Sequence, residues 1–265
     1  MIYLRMENSL VTVVIPVYRL PLSDSEAFSL RRITRILGRY PLTVIKPASL
    51  DLSPLSAVFS GLLVKSFDDA YFNGIAGYNR LMLSADFYRQ FTAYRYILIA
   101  QLDTYIFRDD LEKWCNKGYD YTGAPWPVRP VYRMFPFCAA VAIKRAYRQL
   151  FHLPDSHITD NKIGNGGLSL RKVSSHLQAT VKLHSLIDQY LSHRGHLFHE
   201  DVFFAVEPNR NGVHFTYPEF IESLEFSFDK YPKLCYRLNR YRMPFGCHGW
   251  EKRRMRNFWK LCIFK

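Results

Sequence analysis

The stretch Tyr96-Ile-Leu-Ile-Ala-Gln-Leu-Asp-Thr-Tyr-Ile-Phe-Arg108 decides how this chain is read. Its first five residues form a short apolar run, the pattern of a strand buried on both faces. A single acid, Asp103, sits just past the carboxyl end of that strand. In open α/β sheets ligands bind in the crevice beyond the carboxyl ends of the strands. A carboxylate there can hold a hard divalent cation against a diphosphate. A surface aspartate in a turn has the same local sequence, so the rest of the chain has to separate the two.

Upstream, residues 11–18 are rich in β-branched side chains and close on Pro16, a first buried strand. Ser25 is expected to cap a helix whose apolar face is Leu30, Ile33, Ile36 and Leu37, with Gly38 near its end. Residues 42–45 read as a second strand stopped by Pro47. This β-α-β opening predicts an α/β fold with a mostly parallel sheet and helices on both faces. Residues 51–72 are mixed and 78–91 look helical. A short helix over 110–117 follows, then a strand running into a Gly/Pro turn at 119–126. The apolar residues 137–143 are expected to form another strand and 155–167 a polar loop. Residues 172–192 read as one helix, with Leu177, Val181, His184, Ile187 and Leu191 on its buried side.

With 265 residues and 48% hydrophobic content, the chain can build a real core, and bulk disorder is excluded. No run reaches the ~18 apolar residues of a membrane span. The early apolar run lacks a small-residue cleavage site, so it is a strand and not a signal peptide. Five cysteines without CxxC spacing point to reduced cytosolic thiols, neither a disulfide framework nor a zinc site. The net charge of +13 is uneven: residues 237–265 carry nine Lys/Arg and one acid, Glu251, interleaved with aromatics. Such a segment suits an anionic surface, lipid or nucleic acid; a solvated basic tail is the plainer alternative.

Three further motifs bear on chemistry. Gly164-Asn-Gly-Gly-Leu-Ser-Leu-Arg171 has three glycines in four residues, which allow close backbone approach and positive φ. It is expected to lead into a helix whose amides meet negative charge. It matches neither a phosphate-binding GxxxxGK[ST] loop nor the dinucleotide GxGxxG. His199-Glu200-Asp201 places two acids before an apolar run; these are either ordinary helix N-terminal charges or a base for an acceptor hydroxyl. Pro244-Phe-Gly-Cys-His-Gly-Trp250 sets His248 between glycines, expected to be exposed and free to ligate a metal.

A strand-end acid, a glycine-rich turn, an acid pair and a late loop histidine occur in the order found in sugar-nucleotide glycosyltransferases of the GT-A fold. With Val13-Val-Ile-Pro-Val-Tyr18, Tyr78-Asn-Arg-Leu-Met-Leu-Ser84 and Gly123-Ala-Pro-Trp126, these motifs make the chain resemble an uncharacterised family of GT-A-like bacterial proteins related to glycosyltransferase family 2. The resemblance runs nearly full length and implies one GT-A-like domain over residues 1–236. Residues 237–265 would be a basic aromatic extension that completes the site with His248 and contacts membrane.

It implies a glycosyltransferase moving a sugar from a nucleoside diphosphate, a UDP-sugar by preference, to a hydroxyl of a glycan or lipid-linked acceptor. The setting would be bacterial surface polysaccharide or glycolipid synthesis, in the cytoplasm and peripherally on the inner face of the cytoplasmic membrane, with inversion. Asp103 and His248 would hold Mn²⁺ or Mg²⁺. Gln101 stands where the first acid of a DxD-type motif often lies, which removes one charged ligand. Pro16, Val17, Tyr18, Asn79, Arg80, Gln101 and Asp103 would meet the donor. Trp126, Asn165, Gly166 and Gly167 would line the sugar or acceptor. Asp201 would be the base, with Glu200 beside it on acceptor hydroxyls. Two other classes of function compete. One is a basic nucleic-acid-binding protein, although no RNP, KH, helix-turn-helix or zinc-finger pattern is present. The other is a degenerate transferase fold that only binds glycan or a partner enzyme.

Overall fold

The computed structural model describes residues 9–57, 59–151, 155 and 157–264. The chain opens with β1 (Ser9–Pro16), α1 (Asp24–Leu37), β2 (Leu42–Pro47), the single turn α2 (Ser53–Ser56) and β3 (Leu63–Phe67). Next come α3 (Gly74–Met82), α4 (Ala85–Arg89), β4 (Tyr94–Ala100), β5 (Thr104–Ile106), α5 (Leu111–Asn116), β6 (Tyr121–Thr122) and β7 (Ala124–Pro125). α6 (Phe137–Leu150) lies between β7 and β8 (Ile163–Gly164), and β9 (Leu168–Lys172) leads into α7 (Val173–Lys182), α8 (His184–Ser192) and α9 (Glu200–Arg210). The order closes with α10 (Phe220–Phe226), β10 (Ser227–Phe228), α11 (Pro232–Leu238), β11 (Gly246–His248) and α12 (Arg256–Ile263).

The central sheet has six strands in the order β3-β2-β1-β4-β9-β6. β3, β2, β1 and β4 are mutually parallel, and β9 runs antiparallel to both β4 and β6. This is the mixed α/β, mostly parallel architecture that the β-α-β opening predicts. Both faces of the sheet are covered, which explains why its strands are apolar without alternation. On one face Val11, Val13 and Ile15 of β1 pack with Leu30, Ile33 and Leu37 of α1. On the other, Val14, Ile97 and Ile99 pack with Phe87, Tyr88, Phe203 and Phe204.

Chain order and sheet order part company at β1. From β1 the chain moves outward through β2 to β3, then returns to place β4 on the other side of β1. The carboxyl ends of β1 and β4 therefore flank a topological switch point, where a crevice forms. Pro16-Val17-Tyr18 and Gln101-Leu102-Asp103 follow those two ends.

A second, three-stranded sheet, β10-β11-β5, stands beside this crevice. β5 begins directly after Asp103, β11 ends at His248, and β10 ends just before Asp229. The segment after residue 237 is thus woven into the fold. β11 is the middle strand of its sheet, and Trp250 and Trp259 are buried in the cluster with Tyr105, Phe228 and Cys247. Trp250 Nε1 donates to Ser29 Oγ of α1 at 3.0 Å. Lys265 lies outside the described residues.

Several local expectations are corrected. Ser23 caps α1, not Ser25, through a reciprocal capping box with Glu26. Residues 137–143 belong to the helix α6, since an apolar run with Lys144, Arg145 and Arg148 falling on one side has helical, not alternating, period. The helices expected over 78–91 and 172–192 are each broken in two, at Ser84 and at Leu183. Ser84 accepts from Phe87 N and so starts α4 afresh. If residues after 237 are integral to the fold, Trp259→Ala should lower the unfolding free energy by about 3–5 kcal/mol in a denaturant titration. A detached tail would leave it unchanged.

Candidate active site

The second sheet brings three ionisable side chains from distant parts of the chain together. Antiparallel pairing sets His248 opposite Thr104, and Gly249 N donates to Asp103 O at 2.8 Å, so the Asp103 and His248 side chains meet. Parallel pairing of Phe228 with Cys247 brings in Asp229. His248 Nδ1 lies 3.0 Å from Asp229 Oδ1, and Nε2 lies 3.1 Å from Asp103 Oδ1. Burial alone would lower the pKa of this imidazole, but the two carboxylates outweigh it and push the pKa up to about 9. Burial would raise both carboxylates, yet the ring, with Lys252 nearby, lowers them. His248 is therefore not the exposed, free histidine expected of a glycine-flanked turn.

The glycine motif explains how the ring fits. A Cβ on Gly167 would stand 2.1–2.7 Å from the His248 ring. One on Gly166 would stand 2.0 Å from Glu200 Oε1, and one on Gly164 would stand 2.0–2.5 Å from the Trp126 ring. Each glycine thus leaves room for one side chain of the site. Positive φ in the motif falls instead on Asn165, at 104°. Its Oδ1 accepts from Gly167 N at 2.6 Å and its Nδ2 reaches His248 Nδ1 at 3.2 Å. The motif runs into strand β9, not into a helix, because Leu168 and Leu170 are needed in the sheet.

Two clefts, each of about 400 Å³, open here and share Ile75, Tyr78 and Gln101. The first is lined by Asn79, Trp126, Asn165, Gly166, Gly167, Glu200, Asp201, Asp229, Lys252 and His248. The second is lined by Pro16, Tyr18, Glu26, Leu102 and Asp103. Most of the residues picked out from the sequence therefore converge on one region. Val17 does not reach it: its side chain is fully buried in the core and its N–H donates to Ile45 O. Arg80 is exposed and lines neither cleft.

The acid pair divides sharply. Glu200 is buried and its carboxylate pairs with the fully buried Arg171 guanidinium at 3.0 Å. Arg171 also donates to Tyr88 and to Ser169 and lies over the Tyr121 and Phe204 rings. Asp201 has no ion pair among the described residues and faces the first cleft. Burial, then the adjacent Glu200 charge, pushes its pKa up to about 7. Sequence reasoning missed Asp229, Lys252 and Arg171. Only Arg171 had a signal, since a charge on an otherwise apolar strand demands a buried partner.

Asp103 Oδ1 is buried without a hydrogen-bond partner, although His248 Nε2 is 3.1 Å away. Neighbouring donors around a six-coordinate ion with bonds of about 2.1 Å are separated by about 3 Å. The two atoms thus fit a shared cation as two donors. Among the described residues, no group of three or more His, Cys, Asp or Glu is disposed to hold a metal. Any further donors would have to come from a ligand.

Breaking a buried ion pair from one side costs about 3–5 kcal/mol. Glu200→Gln should therefore lower stability by about that amount in a denaturant titration, whereas Asp201→Asn should not. Equal losses would mean that Asp201 is structural too.

Comparison with known proteins agrees with this architecture. The fold is similar to that of mouse xyloside xylosyltransferase 1, with a TM-score of 0.54 and 12% identity over 92% of this chain and 98% of that one. It is likewise similar to the galactosyltransferase LgtC, with a TM-score of 0.52 and 12% identity over 89% and 86% of the two chains. The glycosyltransferase GlyE of Streptococcus pneumoniae TIGR4 matches with a TM-score of 0.52 and 11% identity, over 95% of this chain and 59% of that one. At these identities the likeness establishes a shared GT-A-like fold. No curated protein matches the sequence. A family model does match, over residues 61–248, and the chain belongs to the family described as "Protein of unknown function (DUF5672)".

Proposed function

We propose that this protein is a sugar-nucleotide-dependent glycosyltransferase. The observation that carries the reading is the pair of clefts at the switch point, joined along Ile75, Tyr78 and Gln101. A group-transfer enzyme needs two such compartments, one for the donor and one for the acceptor, meeting at the bond that breaks. The second cleft, with the exposed ring of Tyr18 at its rim, suits the nucleotide of an NDP-sugar, a UDP-sugar by preference. The first, with Trp126 on its wall, suits sugar rings of a glycan or lipid-linked acceptor. Residues 237–265 belong to this site because they supply His248 and Lys252.

Asp201 acts at the acceptor hydroxyl. A base works best when its pKa lies near the working pH, and about 7 meets that condition. Deprotonation as the hydroxyl attacks leads to inversion at the anomeric carbon. Asn79, whose Oδ1 accepts from Glu200 N at 3.2 Å, and the Arg171–Glu200 pair fix the turn that presents Asp201. Asp201→Asn should cut transfer by about 10²–10⁴-fold while NDP-sugar binding persists. In the wild type kcat should fall as pH drops through about 7, where Asp201 gains its proton, and should not fall above it for this cause. Retained turnover in the variant, or retention of anomeric configuration by NMR, would sink the base assignment.

Asp103 and His248 would hold a Mn²⁺ or Mg²⁺ ion. When bound, the ion would neutralise charge developing on the departing diphosphate. A second reading has its own observations. Gln101 withholds one charged ligand, and Lys252 Nζ lies 3.8 Å from Asp103 Oδ2. Lys252 and a protonated His248 could supply the positive charge unaided. Calorimetric titration with UDP decides between them. Loss of binding on chelation, restored by Mn²⁺, supports the cation. Binding that is indifferent to chelator but weakened about tenfold or more in Lys252→Ala supports the lysine, given about 1.5–3 kcal/mol for a charged hydrogen bond.

The setting we propose is surface polysaccharide or glycolipid synthesis at the inner face of a bacterial membrane. No helix among the described residues is long and apolar enough to cross a membrane. The +13 net charge favours an anionic surface.

A further inference from the structure

Between β7 and β8 the chain leaves the body of the fold. The stem of this excursion is closed by β7–β8 pairing and by reciprocal bonds, Trp126 N to Lys162 O and Asn161 N to Trp126 O, both 3.0 Å. Its main element is α6, fourteen residues long, and none of them is buried. A helix of that length normally buries one stripe against the protein. Here the apolar stripe is turned away. Ile143, Tyr147 and Leu150, at i, i+4 and i+7, share one side and are 70%, 56% and 74% exposed. Arg145, on the opposite side, ties α6 to the returning limb of the excursion: its guanidinium donates to His157 O at 3.3 Å and lies 3.6 Å from Asp160. The preceding loop adds Met134 and Phe135, the latter 83% exposed.

Charge identifies what would cover this face. From Trp126 to Asn161 the sequence contains five Lys/Arg, and its two acids, Asp155 and Asp160, sit beside Arg145, away from the apolar stripe. An aliphatic and aromatic stripe flanked by cations, with no anion among them, is the pattern of a helix lying in the headgroup region of a bilayer. A second copy of the chain fits less well, because two-fold pairing would set the like charges of both copies together.

We infer that α6 and the loop before it dock this protein onto an anionic membrane surface, with Phe135, Ile143, Tyr147 and Leu150 entering the headgroup–acyl boundary. This assigns the membrane contact to the middle of the chain, where the basic C-terminal segment buries its Trp250 and Trp259. Trp126 and Thr159, on the two sides of the stem, both line the first cleft, so the docking element is joined directly to the wall of that cleft. That the acceptor is lipid-borne would rest on the transferase reading; the docking itself does not.

The test is co-sedimentation of the full chain with vesicles of phosphatidylcholine alone or with phosphatidylglycerol added. Binding is expected only to the anionic vesicles, weakening as salt rises. The double variant Ile143→Glu/Leu150→Glu should reduce it at least about tenfold, with an unchanged far-UV spectrum and melting temperature. Substituting Arg253 and Arg254 by Gln should have a smaller effect. No sedimentation, or binding by the double variant equal to wild type, overturns the proposal. So does a concentration-dependent dimer, or RNA binding, that the double variant abolishes while vesicle binding persists. None of these readouts depends on sugar transfer.

Discussion

An imidazole held between two buried carboxylates is stable only while all three groups stay in register. Displacing any one leaves an uncompensated charge in a poorly solvated place, at a cost of several kcal/mol. Around His248 that requirement is met by backbone pairing. β5 follows Asp103, β11 delivers the ring and β10 leads to Asp229, all three strands being joined by main-chain hydrogen bonds. Much of the remaining structure serves this small sheet. Arg32 of α1 donates to Ile106 O and Phe107 O at the end of β5, and Trp259 packs against both Phe107 and Phe228.

Space is the complementary constraint. The glycines at 164, 166 and 167 are small so that Trp126, Glu200 and His248 can come close. One stretch of backbone therefore serves as the floor for an aromatic wall, a buried ion pair and the charged triad. The Arg171–Glu200 pair is deeper still and holds the start of α9, so that the next residue, Asp201, enters the cleft free of any ion pair among the described residues. Adjacent acids thus take opposite roles because helical geometry points their side chains about 100° apart.

The sequence carried the sheet's central strands clearly. Residues 11–18 and 96–100 are apolar because both faces are covered, and an acid directly beyond such a strand stands where α/β sheets bind ligands. Asp103 is picked out in this way, Asp201 and His248 gain weight only from the resemblance to GT-A enzymes, and all three converge on the same crevice. What stayed hidden was set by tertiary context. Nothing near Asp229 marks it, since its partner is a strand that pairs only in three dimensions. The glycines read as turn formers because sequence shows flexibility and not the neighbour that needs the room. Residues 137–150 read as a strand over their first half, because an exposed apolar helix runs against the usual link between hydrophobicity and burial.

The distance in sequence between β5 and β11 has a consequence for how the protein comes into being. β5 is made well before β11, the strand it pairs with. Because domains tend to fold as their residues emerge during synthesis, the six-stranded sheet can be in place while β5 still lacks its neighbour. His248 is then absent, and Asp103 has no ring beside it. Until β11 has been made, the cluster around His248 cannot assemble, whatever else of the fold is in place.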